Sequence, residues 1–229
     1  MHAFTLALLL GAAALYGTGV RRLWQRAGRG RGIAGVNVSL FGSGMAVLAI
    51  AALSPLHDLG EALLWAHMIQ HELLMVVAAP LLVLGRPMQA FAWVYPVRVP
   101  QWLSDPLLAW TLHAGAIVGW HLPGVFVAAT ASEGLHFAQH ASFLGSALLF
   151  WWTIFARPGL AGIVSLFSTM LYTGALGALM TFARASWYPG YALEDQQLAG
   201  LVMWLPAGLA YPAAALAIVG SQWLRRSGA

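Results

Sequence analysis

Cysteine and lysine are both absent from the 229 residues. Without Cys, neither a disulfide nor a thiolate metal site can form, whichever compartment the loops face. Without Lys, every one of the 11 basic residues is Arg. Charge of either sign is scarce, at 8% of residues against 60% hydrophobic, and mean hydropathy is +0.75. A soluble domain needs far more charge to cover its surface, so the composition is that of a polytopic membrane protein. The pI near 10.0 invites a nucleic-acid reading. The arginines, however, sit at the ends of apolar spans, where membrane topology explains them, and nucleic acid is not an expected partner.

Seven stretches are long and apolar enough to cross a bilayer. They run at about 3–20, 33–53, 62–84, 106–130, 133–156, 160–183 and 198–220. Connections as short as "RPGL" at 157–160 leave no room for an extramembrane domain, and no 20–50-residue repeat is visible. The expected architecture is all-α: one seven-helix transmembrane bundle covering 1–229, embedded in lipid.

Orientation follows from the arginines. Arg21, Arg22, Arg26, Arg29 and Arg31 fill the first connection, Arg86 and Arg98 the third, Arg157 the fifth, and Arg225 and Arg226 the C-terminus. The opposite connections hold Arg184 with Asp58, Glu61, Glu133, Glu194 and Asp195. The sequence therefore predicts an outside N-terminus and a cytoplasmic C-terminus. The first span lacks a positive n-region and its arginines follow the apolar run, so it reads as a retained helix rather than a cleaved signal.

With orientation set, each histidine acquires a depth at about 1.5 Å per residue. His67 and His71 lie roughly 8 and 14 Å below the outer surface, His121 roughly 14 Å, and His136 and His140 roughly 3 and 9 Å. Five of the 8 histidines thus share one layer. His67 and His71 are four apart, as are His136 and His140, so each pair stacks on one helical face and can reach a single ion. Phe143 and Ala147 continue the second stripe. A lone histidine such as His113 reads as inter-helix hydrogen-bonding glue. Two i,i+4 pairs with His121 at matched depth instead point to a metal site.

Imidazole suits several metals, with Cu(II) ranking highest in affinity and zinc the alternative. Thioethers at Met68, Met75 and Met203 would favour Cu(I), although each is also ordinary core filler. Glu72 lies about 100° around the helix from His71, so it reads as an orienting partner for a ligand or as neutral packing. "HELLM" at 71–75 starts like the zinc-protease motif, but Met75 stands where its second His belongs. His57, outside the spans beside Asp58, reads as solvated or as an entry ligand.

In the sixth connection, Trp187, Tyr188 and Tyr191 look like an interfacial aromatic belt. Asp195 reads as a helix cap or an outer-face ligand. Pro206 and Pro212 should bend the last helix, and "GAIVG" at 115–119 should let a neighbour approach closely.

"HMIQHELLMVVAAPLLVLGRP" at 67–87, "GWHLPGVF" at 119–126, "LHFAQHASFLGSALLFWW" at 135–152 and "DQQLAGLVMWLPAG" at 195–208 resemble, in order, the signatures of the CtaG-type assembly factors of caa3 cytochrome c oxidase. The resemblance covers the third to seventh helices. It implies an integral membrane protein, in the inner membrane of a bacterium, that serves oxidase maturation and handles copper for the catalytic subunit; the leading expectation is a nonenzymatic assembly factor, with a periplasmic copper donor as a candidate further partner. It also implies that His67, His71, His121, His136 and His140 occupy the family's histidine positions, and that Asp195 and Met203 match its final motif. Two other classes use the same residues: a bis-histidine haem electron-transfer protein, and a metal-ion transporter or membrane metalloenzyme. Two histidines four apart on one helix suit a small ion better than haem, whose axial ligands approach from opposite faces.

Overall fold

A computed structural model describes residues 2–96 and 100–227; Arg98, counted above among the cytoplasmic arginines, lies outside them. Among the described residues there is no strand. The helices are α1 (His2–Ala27), α2 (Gly35–Leu53), α3 (Pro55–Ala62), α4 (Leu64–Glu72), α5 (Ala79–Leu84), α6 (Pro87–Phe91), α7 (Pro106–His121), α8 (Pro123–Thr130), α9 (Glu133–Ala156), α10 (Leu160–Thr181) and α11 (Leu193–Ser227). A π-helical segment, Leu73–Ala78, joins α4 to α5.

Among the described residues, five helices are long and apolar enough to cross a membrane: Ala3–Ala27, Gly35–Leu53, Leu64–Leu84, Leu160–Thr181 and Leu193–Leu224. The pair α7–α8 makes six if its two arms form one span. The chain is therefore a helical membrane protein. α9 is long enough at 24 residues, but His136, Gln139, His140 and Ser142 lower its hydropathy.

The straight span expected at 106–130 is broken. α7 and α8 meet at 78°, because Pro123 forces Leu122 out of the helical region to φ −61°, ψ 128°. His121 is thus the last residue of α7, at a corner, and a depth counted along one continuous helix does not apply to it. The last helix begins earlier and ends later than expected, and it stays a single element through Pro206 and Pro212. The "GAIVG" expectation also fails: a Cβ on Gly115 or Gly119 would meet nothing within 4 Å. Close approach occurs instead between α10 and α11, where a Cβ on Gly200 would lie 2.5 Å from the Gly177 carbonyl oxygen.

The π register leaves one carbonyl to be paired from outside the segment. Its ladder runs i to i−5, shown by Ala79 N–H donating to the Leu74 carbonyl. In that register the Met75 carbonyl would need the amide of residue 80, and Pro80 has none. The Trp151 indole of α9 supplies the missing donor, at 2.9 Å from the Met75 oxygen. This bond fastens α9 to the segment directly following the His67 and His71 helix.

Connections that carry arginine are hydrogen-bonded to one another at one end of the bundle. Arg86 donates to the Gly32 carbonyl at 3.0 Å and Arg22 to the Trp93 carbonyl at 3.2 Å. Arg157 donates to Ser104 at 3.5 Å, and Gln222, near the end of α11, to the Pro158 carbonyl at 3.0 Å.

Candidate metal centre

α4 carries His67 and His71 one turn apart, and α9 carries His136 and His140 in the same relation. The four rings meet. Centroids are 4.3 Å apart for His67–His71, 4.4 Å for His136–His140, 5.3 Å for His67–His136 and 5.2 Å for His71–His140. The two helices run in the same sense, so the rings form two rungs of a ladder. In the closest set, one ligand nitrogen from each of His67, His71 and His140 lies within 4.8 Å of the others. Side-chain rotation can bring three such atoms onto one ion at the usual nitrogen–metal distance of about 2.0 Å.

The chemistry of the donors fits an ion. Nε2 of His67, His71, His121, His136 and His140 is buried without a hydrogen-bond partner, as is Nδ1 of His71. Buried polar atoms left unpaired are costly, and more so in a bilayer, so six in one cluster call for an occupant. Phe126 and Phe143, both fully buried, wall the cluster, with Phe143 4.5 Å from His71 and Phe126 5.2 Å from His67.

His121 joins from the corner of α7, its ring 6.0 Å from His71. Its Nδ1 lies 2.6 Å from the Ile117 carbonyl, which can only accept. The proton is therefore on Nδ1, and Nε2 presents a lone pair, the tautomer a metal ligand needs. Tyr188 fixes the same corner by donating its hydroxyl to the His121 carbonyl at 2.9 Å. It is fully buried against Phe126, so it does not belong to an aromatic belt, and burial pushes its phenol well above the ordinary value.

His57 stacks on His136 at 5.7 Å, closer to the cluster than a solvated loop residue would be. The Gln70 amide, which also donates to the Ala51 carbonyl at 2.7 Å, lies 3.3 Å from His57 Nδ1. An amide nitrogen donates, so His57 Nδ1 accepts and the ring's proton sits on Nε2, a poor arrangement for ligation. Gly60 permits this packing of α3 on α4, since a Cβ there would meet Gln70 Oε1 at 2.5 Å.

The remaining sequence candidates go elsewhere. Asp195, near the start of α11, accepts from the amides of Leu64 at 2.8 Å and Trp65 at 3.1 Å, so it caps α4 rather than its own helix. Glu72 lies within electrostatic reach of Tyr211 on α11. Its Oε2 is buried without a partner. Met75 and Met203 are buried in the apolar core. His113 plays the inter-helix part expected of it, donating from Nδ1 to Ser146 at 3.1 Å, while the Ser146 hydroxyl donates to the Phe143 carbonyl. Sequence reasoning missed Gln70, Tyr188 and Trp151. Gln70 alone carried a signal, as a second polar residue inside an apolar run.

Residues 14–226 match a family model described as cytochrome c oxidase caa3 assembly factor. No curated protein and no solved structure matches the chain.

Proposed function

The chain belongs to the cytochrome c oxidase caa3 assembly factors, and from that premise we propose that it binds a copper ion in the histidine cluster and assists maturation of the oxidase's copper site. The observation that carries this reading is the triad His67, His71 and His140, whose ligand atoms lie within 4.8 Å of one another in an apolar interior. His121 and His136 extend the donor set on either side. An all-imidazole site accepts copper most strongly by affinity order, with zinc the competitor.

The role is nonenzymatic: ions are held and passed on. Glu72, the carboxyl nearest the cluster in sequence, is not in the set whose ligand atoms converge and lies within electrostatic reach of Tyr211. The client is the oxidase catalytic subunit, and a periplasmic copper donor supplies the ion. Seven spans result when the bent pair α7–α8 counts as one and α9 is added to the five apolar helices. The joined arginine connections then face the cytoplasm, and the N-terminus and the histidine layer face outward, in a bacterial inner membrane.

A cell expressing His67→Ala, His71→Ala and His140→Ala together tests the function. Its oxidase should assemble with depleted copper; an oxidase with full copper content refutes the proposal.

A further inference from the structure

The donor set exceeds what one ion uses, since Cu(I) with imidazole ligands is satisfied by two or three. Five buried nitrogens, arranged in two rungs and a corner, therefore require a division of labour. The rungs differ in environment. His136 is half-buried, stacked between His57 and His67 in three near-parallel rings, with interplanar angles of 10° and 16°. Glu61, at the end of α3, lies within electrostatic reach of the His136 ring. The second rung lies one helical turn further along α4 and α9 and is shut in by Phe143. His121, only 3% exposed and preset in the ligating tautomer, closes that end.

Building on the copper-binding reading, we propose that the cluster is a two-position relay for a single Cu(I) ion, an acquisition position at His67 and His136 and a retention position at His71, His140 and His121. The triad His67, His71 and His140 straddles both rungs, so it is the transfer set. An ion moving between positions exchanges one imidazole at a time and is never without two donors. Two ions held one turn apart, about 5.4 Å, would repel strongly in so apolar a setting, which keeps occupancy at one. Glu61 at the mouth lowers the barrier to entry for a cation without ligating it at the final position. His57, with Nδ1 held by Gln70, serves the mouth as a stacking surface rather than as a donor.

The test separates rate from affinity. Purified full-length protein in detergent is mixed anaerobically with Cu(I) held by a chromogenic chelator, and uptake is followed by stopped flow and at equilibrium. His136→Ala and His136→Gln should slow loading by about tenfold or more, a larger factor than that by which they weaken affinity. His121→Ala and His121→Gln should weaken affinity by about tenfold or more, a larger factor than that by which they slow loading. Size-exclusion elution at the wild-type position marks the variants that are folded, and the Gln forms keep side-chain bulk. If folded variants at 121 and 136 change rate and affinity by the same factors, the cluster is one undivided site and the relay is overturned. Wild-type protein that takes up no Cu(I) overturns the copper-binding reading itself, a different result.

Discussion

Asp195 of α11 caps the helix that holds His67 and His71, its two carboxylate oxygens accepting from Leu64 N–H at 2.8 Å and Trp65 N–H at 3.1 Å. The residue lies 131 positions from Leu64, so the last helix sets the start, and with it the rotation, of the first ligand helix. A cap and a metal ligand respond differently to substitution. Asn is a good capping residue but offers one acceptor for the two amides, so Asp195→Asn should keep part of the stability and all of the copper. Asp195→Ala should cost about 1 kcal/mol and loosen the site. Thermal unfolding paired with copper titration distinguishes them; loss of copper in the Asn variant at wild-type stability would make Asp195 a ligand.

Trp151 replaces the donor that Pro80 lacks. Trp151→Phe keeps the ring but leaves the Met75 carbonyl unpaired, and it should destabilise the fold by about 1–3 kcal/mol. Denaturation in detergent measures this. No change would mean the π segment does not need the indole.

Tyr188→Phe removes the hydroxyl that holds the His121 carbonyl at the corner of α7 and α8. About 0.5–1.5 kcal/mol of stability should go with it. Copper should still bind, because His121 keeps its own bond to Ile117. Equilibrium copper competition checks the second point.

At the α10–α11 contact, Gly200→Ala would place a Cβ 2.5 Å from the Gly177 oxygen and 2.7 Å from the Thr181 amide. Both obstacles are backbone, so the helices must separate, at about 1–3 kcal/mol. Gly115→Ala on α7 meets nothing within 4 Å and should be neutral by the same assay.

The histidine layer was legible because its code is local. Spacing of four on one helix puts 67 with 71 and 136 with 140, and matched depth brings the pairs together without knowledge of the loops. What stayed hidden depended on partners far along the chain. Asp195 showed its capping chemistry in sequence, but not that the amides it caps belong to α4. Tyr188 read as an interface aromatic because hydropathy cannot tell a buried phenol with a distant acceptor from one at a membrane surface. The break at Leu122–Pro123 did have a local signal: proline disfavours helix at the residue before it, yet membrane helices often tolerate the kink, and the apolar run on both sides read as one span. Glu72 lies within electrostatic reach of Tyr211, a neighbour that α11 supplies and that the sequence around Glu72 does not show.

The central claim is that the histidine cluster around His67, His71 and His140 binds a copper ion. Metal analysis of the purified protein after exposure to Cu(I), compared with His71→Ala, tests it most directly. The account predicts about one tightly held copper per wild-type chain, no Soret band, and a loss of retention in the variant at unchanged elution volume. Folded wild-type protein that retains no copper, or a His71→Ala variant that retains it equally well, would contradict it.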